Sequence, residues 1–311
     1  MSFEQIRHRL SNGRPLVLDA DSGASFRARG VELDVPGTLG MLLREQPREV
    51  LSHHLAEVAS RVDVLSALTV DTTPRALAEV GMQHRSAQLT GRALDLALEA
   101  AGDAVKPIAV AGVLGSDMVG PMVADRLHEE LSEHAARLKI SGSELIIARG
   151  QGSRLSLMAA VGAAAELELP TWAVLECSRG SELQSSSLYE VLEALREAGT
   201  SAVLLEVPSV QVGLSELERA RPALDALGLV AGVLLAASDN AVRGFADPTS
   251  EPEQWAEHAL DLSLAGARVL GGGAGTTESH TRALALALGS LHPSVPTTRS
   301  DTELDRGPRD W

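Results

Sequence analysis

Several charged side chains in this chain stand directly after short apolar runs, where a chain entering a turn exposes its polar groups. Asp19 and Asp21 follow LVL, and Thr69, Asp71, Thr72 and Thr73 follow VDVLSAL. Asp117 closes GVLGSD, Arg149 and Gly150 follow ELIIA, and Glu176 and Cys177 follow TWAVL. Glu206 ends SAVLLE, and Ser238, Asp239 and Asn240 follow GVLLAA. The last run leads into GGGAGTTESH, Gly271 to His280. Brought together, these residues form a carboxylate-rich mouth holding one arginine. Arg149 beside Glu176, Glu206 and Asp19 suits a zwitterionic or carboxylate ligand, and it equally suits an internal salt bridge, since a buried guanidinium needs such a partner. The glycine-rich loop, with Gly271, Gly272, Gly275 and Thr276, can direct backbone N–H groups at an anion. It can equally be a tight turn capped by Thr276 or Thr277. Asp71 and Asn240 complete the candidate ligand-binding set.

The elements that position these residues read as eight strands: Leu16–Asp19, Val62–Leu68, Pro107–Val113, Glu144–Ala148, Thr171–Leu175, Ser201–Glu206, Val230–Leu235 and Ala267–Leu270. They are apolar on both faces, as strands of a covered parallel sheet must be. Amphipathic helical patterns lie between them, from Pro47–Ser60 to His280–Leu291. Eight such repeats predict an α/β fold, a single (βα)8 TIM barrel over residues 1–292, with its site at the C-terminal ends of the strands. An open doubly wound sheet would carry a GxGxxG turn after the first strand, and the sequence there is DADSGASFRARG. Residues 293–311, rich in Pro, Thr, Ser, Asp and Arg, lack periodicity and are expected to be a flexible tail.

Composition excludes several chemistries. The formal charge of −15 disfavours a nucleic-acid partner. No apolar run is long enough to span a membrane, and the amino terminus lacks a signal-like stretch, so a cytoplasmic location is expected. The only lysines are Lys106 and Lys139, one preceding the third strand and the other ending a helix. Neither is placed for a Schiff base at the mouth. The histidines fall mainly on helices or loops, with only His280 near a strand end. Cys177 is the single cysteine, which rules out an internal disulfide and a multi-thiolate metal site. Without an evident base beside it, it reads as a structural thiol rather than a nucleophile.

Five segments together resemble the homocysteine S-methyltransferase family: LVLDADSGASFRARG, VDVLSALTVDTTPRAL, VAGVLGSD, PTWAVLEC and GARVLGGGAGTTESHTRAL. The match runs from about Pro15 to Leu284, in family order. The resemblance implies a (βα)8 barrel in which zinc, held by three cysteines, activates the homocysteine thiol as a thiolate for attack on a methyl donor. One cysteine ends strand six, and two adjacent ones follow strand eight. At those positions this chain has Val207, Gly273 and Ala274. Further departures are Arg149 for a family Glu, Leu68 for an Asn and Ser25 for a Glu, while Asp19 is kept. The expectation is therefore a family barrel without zinc or another cofactor, either a pseudoenzyme or a repurposed binding or assembly subunit. Its partners would be copies of itself, an active relative or another enzyme subunit, with a small-molecule ligand possible at the mouth. The alternative is a zinc-independent methyltransferase, or another enzyme, acting on a small amino-acid-like or anionic substrate.

Overall fold

Strands buried on both faces must alternate between two cores, and they do so here. In the computed structural model, residues 1, 3–33, 35–115, 124–150, 153–177, 188–237 and 250–291 are described. The eight strands are β1 (Leu16–Val17), β2 (Val64–Ala67), β3 (Ala109–Gly115), β4 (Leu145–Arg149), β5 (Thr171–Glu176), β6 (Thr200–Val207), β7 (Val230–Leu235) and β8 (Val269–Gly272). All pair in parallel, in the order β1-β8-β7-β6-β5-β4-β3-β2, and a bridge between Leu18 and Val64 joins the two ends of the sheet. Leu16, Leu18, Val64, Leu145, Ile147, Trp172, Val174, Leu204 and Leu234 fill the barrel interior. Their neighbours Val17, Leu65, Ile146, Ala148, Ala173, Val203 and Leu205 pack outward against the helices. This is the period-2 alternation of a pleated strand.

Twelve α-helices are present among the described residues. The long ones fall where apolar periodicity predicts: α4 (Pro47–Ala59), α6 (Ser86–Gly102), α7 (Ala124–Ile140), α8 (Arg154–Ala165), α9 (Leu188–Glu197), α10 (Val210–Leu227), α11 (Pro252–Leu264) and α12 (Glu278–Leu291). Four others were not foreseen: α1 (Phe3–Ser11), α2 (Ser22–Ala28), α3 (Thr38–Glu45) and α5 (Pro74–Ala78). Helix α1 plugs the bottom of the barrel, with Ile6 fully buried in the interior core. Lys106 stands at this N-terminal end, as its place before β3 requires, and its ammonium binds Asp63 at 2.7 Å. The expected bounds of Val230–Leu235 are those observed, and the other strand ends differ by at most two residues, because ladder pairing rather than apolar content decides where a strand stops. The 293–311 segment lies outside the described residues.

The β1–β2 seam is closed differently from the rest. Beyond the single bridge, the Asp63 amide donates to Val17 O at 2.8 Å and Val17 N donates to the Asp63 carboxylate at 3.0 Å. Arg9 of α1 binds the same carboxylate at 2.5 and 3.1 Å. At the upper end of the seam, Ser66 donates its amide and its hydroxyl to Asp19, each at 2.7 Å. A carboxylate from each strand thus accepts an amide of the other.

Candidate functional site

Alternation decides which side chains reach the mouth. Counting up from the interior residues Leu145 and Ile147 leads to Arg149, from Trp172 and Val174 to Glu176, and from Ala202 and Leu204 to Glu206. These three therefore form the uppermost interior layer. Glu176 and Glu206 are direct register partners on β5 and β6. Arg149 reaches across from β4, and its Nη2 donates to both Glu206 oxygens at 2.7 Å. Both side chains are partly exposed, Arg149 at 32% and Glu206 at 22%, so solvent reaches the pair. The charge of Glu206, with lesser contributions from Glu176 and Asp21, pushes the Arg149 pKa up and keeps it cationic.

Asp21 joins this group in a structural role. Its Oδ1 accepts from Gly23 N at 2.9 Å, capping α2, and its Oδ2 accepts from Gly275 N at 3.2 Å. Its backbone N donates to Thr276 Oγ1 at 3.0 Å, and that hydroxyl donates onward to Gly273 O at 2.7 Å. The first and last βα loops are thereby tied together. Burial raises the Asp21 pKa.

The glycine-rich loop spends its amides internally. Gly272 N donates to Asp19 O at 3.2 Å, Gly273 N to Leu235 O at 2.8 Å and Thr276 N to Gly273 O at 3.2 Å. Thr277 N donates to His280 Nδ1 at 3.1 Å. Gly275 sits at φ +83°, a left-handed conformation that glycine adopts without strain. The side chain of Gly271 is excluded by packing: a Cβ there would lie 2.9 Å from Leu18 Cβ.

Asp19 sits at the seam rather than in the Arg149 layer. Burial raises its pKa, and the same is true of Glu57 on α4, to which the charge of Asp19 adds. Glu57 Oε1 accepts from Ala20 N at 3.4 Å, one residue beyond Asp19. Burial and the Asp19 charge together favour the protonated form of Glu57. Asp71 lies further out, where its carboxylate accepts from Leu39 N at 3.3 Å and fixes the start of α3. Asp117, Ser238, Asp239 and Asn240 fall outside the described residues. Cys177 is buried, donates weakly to Leu175 O at 3.6 Å, and has its thiol pKa pushed up to about 12 by burial.

Glu57 was missed by sequence reading. It lies inside an amphipathic helical pattern, where a glutamate reads as solvated, although Val50, His53 and Glu57 share the i, i+3, i+7 face that turns inward.

A polar layer of one arginine and three carboxylates thus stands at the C-terminal mouth of a (βα)8 barrel, the end at which barrels of this fold carry their sites. A sequence model of the homocysteine S-methyltransferase family matches residues 16–288, and the chain belongs to that family. Among solved structures, the Escherichia coli homocysteine methyltransferase MmuM is similar in its oxidized form, with a TM-score of 0.73 and 19% identity over 90% of this chain and 98% of that one. Its metallated form gives 0.71 and 18%, again over 90% and 98%. A 3-dehydroquinate dehydratase from Geobacillus kaustophilus gives 0.51 and 11%, over 90% and 93%. At these identities the likeness is one of fold.

The three positions that the resemblance sets against the family's cysteines are Val207, Gly273 and Ala274, none with a side-chain donor atom. Val207 faces the helical layer, in the cluster that holds Leu262, and a Cβ on Gly213 of α10 would lie 3.3 Å from its Cγ2. Gly273 is hemmed in by β7 and the residue after it: a Cβ there would stand 2.9 Å from Ala236 N and 3.1 Å from Leu234 O. The carbonyl of Ala274 is bound by Ala237 N at 2.9 Å. Among the described residues, no group of three or more His, Cys, Asp or Glu side chains could hold a metal ion. No helix among them is long and apolar enough to cross a membrane.

Proposed function

We propose that this member of the homocysteine S-methyltransferase family does not run zinc–thiolate methyl transfer and serves as a repurposed binding or assembly barrel. The observation that carries this reading is the ion pair of Arg149 with Glu206 across the mouth, beside Val207, Gly273 and Ala274. Thiolate generation at neutral pH needs a metal or a comparable electrophile, since a free thiol with a pKa near 8.5 is mostly protonated. None of the three residues offers a donor atom. Instead, the mouth presents a guanidinium flanked by carboxylates, a surface that recognises charge rather than activating sulfur. A homo-oligomer, an active relative or another enzyme subunit fits as partner to such a module.

The test is metal analysis of the purified full chain, together with a methyl-transfer assay using homocysteine and a sulfonium donor such as S-adenosylmethionine. Substoichiometric zinc and no transfer are expected. One zinc per chain, or turnover, overturns the proposal.

A second reading is favoured by the partial exposure of Arg149 and Glu206. Here the mouth is the site of a zinc-independent enzyme, with Arg149 orienting an anionic or zwitterionic substrate. Asp19 and Glu57 would serve as its proton reservoir. Copurification followed by mass spectrometry separates the two: a stoichiometric protein partner supports the assembly module, and a bound zwitterion supports the enzyme.

A further inference from the structure

Between α3, the start of α4 and α6 lies an open cavity of about 490 Å³ on the outer helical layer. Leu43 and Leu89, both buried, form its floor. Its rim is cationic: Arg44 lies in the last turn of α3, Arg85 immediately precedes α6, and Arg92 lies on the first half of α6. Gln88 and Arg92 are four residues apart on one helix and so share a face.

The cluster is a cationic patch on an acidic molecule. The chain carries 42 acidic residues against 27 basic ones, and several of its other arginines take carboxylate partners, as in Arg9–Asp63, Arg75–Glu130 and Arg137–Glu133. Among the described residues, no carboxylate forms an ion pair with Arg44, Arg85 or Arg92. Asp95 lines the same wall without reaching them. Among the described residues, Arg44 Nη1 makes a polar contact with Met82 Sδ, at 3.6 Å. Three like charges converging on one concavity repel one another, and their mutual cost is relieved by an anion set between them. Guanidinium forks match the geometry of phosphate oxygens two at a time, and a concavity of this size is in the range that holds small metabolites.

We propose that the arginine-rimmed cavity between α3 and α6 is a binding site for a small phosphate-bearing anion, a diphosphate or larger, apart from the barrel mouth. Its occupancy does not depend on whether the mouth is catalytic.

Calorimetric titration of the full chain with pyrophosphate tests this, with citrate as a polyanion lacking phosphate. Saturable binding at one site is expected, weakening with added salt and tighter for pyrophosphate than for citrate. Arg85→Ala and Arg92→Ala should each weaken it about tenfold or more, the loss of a charge-assisted hydrogen bond. Arg48→Ala, on the exposed side of α4 and outside the cavity, should leave it unchanged. Arg92 is exposed, so the variants should keep their unfolding midpoint. Absence of saturable binding, equal affinity for citrate, or equal loss in Arg48→Ala would each overturn the site.

Discussion

At the scale of single residues, buried ionisable groups set the molecule's response to pH. Glu57 is fully buried, and burial, then the charge of Asp19, lifts its pKa to about 8. The folded state therefore prefers the protonated carboxyl. Stability from this group is complete below the ordinary carboxylate range and is lost as pH rises toward 8, because the unfolded chain ionises first. Histidines act in the opposite sense. Burial lowers His53 to about 3 and His134 to about 4, and it holds His54 well below the ordinary histidine range. Their contribution is complete above about 6.5 and is lost as pH falls toward 4. Between pH 6.5 and 8 the glutamate dominates, so Glu57→Gln should gain about 1–2 kcal/mol relative to the native protein across that interval. Thermal unfolding from pH 5.5 to 8.5 checks it; a constant offset between the two proteins would dismiss the assignment. None of this was legible in sequence, because a helical glutamate declares its burial only when the packing partner, here the residue after Asp19, is known. The Arg149 layer was legible: each member directly ends an apolar strand run, and period 2 puts all three on one side.

At the scale of elements, helix α1 shows what periodicity misses. Phe3, Ile6 and Leu10 have the i, i+3, i+7 spacing of an amphipathic helix, yet four charged or histidine side chains among nine residues make the stretch read as solvent-facing. Its burial is explained by the barrel: the open bottom needs a plug, and Ile6 supplies it while Arg9 reaches Asp63. That carboxylate is 3% exposed and carries Arg9, Lys106 and the Val17 amide. Asp63→Ala would strand two cations and a buried amide and should cost about 3 kcal/mol. Denaturant unfolding should show this loss, and a double-mutant cycle with Arg9→Ala should show strong coupling. Additive effects would mean that α1 is held by Ile6 alone. Helices α2 and α3 escaped sequence reading for another reason. They are short, and their starts depend on Asp21 and Asp71, carboxylates that in the sequence read as polar groups after a strand.

At the scale of the whole molecule, family membership fixes the architecture and leaves the chemistry to local residues, as the function of a barrel lives on its loops. The eight-fold alternation of apolar run and amphipathic stretch was enough to read the fold. The mouth was less readable, because the order of its parts along the chain says nothing of which loop amides are already spent. Restoring the family's thiols tests how deeply the barrel has diverged. Gly273→Cys alone should cost about 1–3 kcal/mol, since its Cβ would stand 2.9 Å from Ala236 N, just beyond β7, and main chain must yield. Combined with Val207→Cys and Ala274→Cys it should still fail to take up stoichiometric zinc, because position 207 points into the helical layer. A stoichiometric zinc signal in the triple variant would show that the metal site is only three side-chain exchanges away.

The seam between the first and second strands has a mechanical meaning. Seven of the eight joints in this cask are ladders of backbone hydrogen bonds; the eighth is one bridge pinned by two acid pegs, Asp63 below and Asp19 above. The lower peg is clamped by cations and the upper one is not, and burial makes the upper one readily protonated. A cylinder fails lengthwise along its weakest joint. Rising pH, which puts a charge on that buried peg, therefore loosens this joint from the top, at the rim where the loops of the mouth are hung.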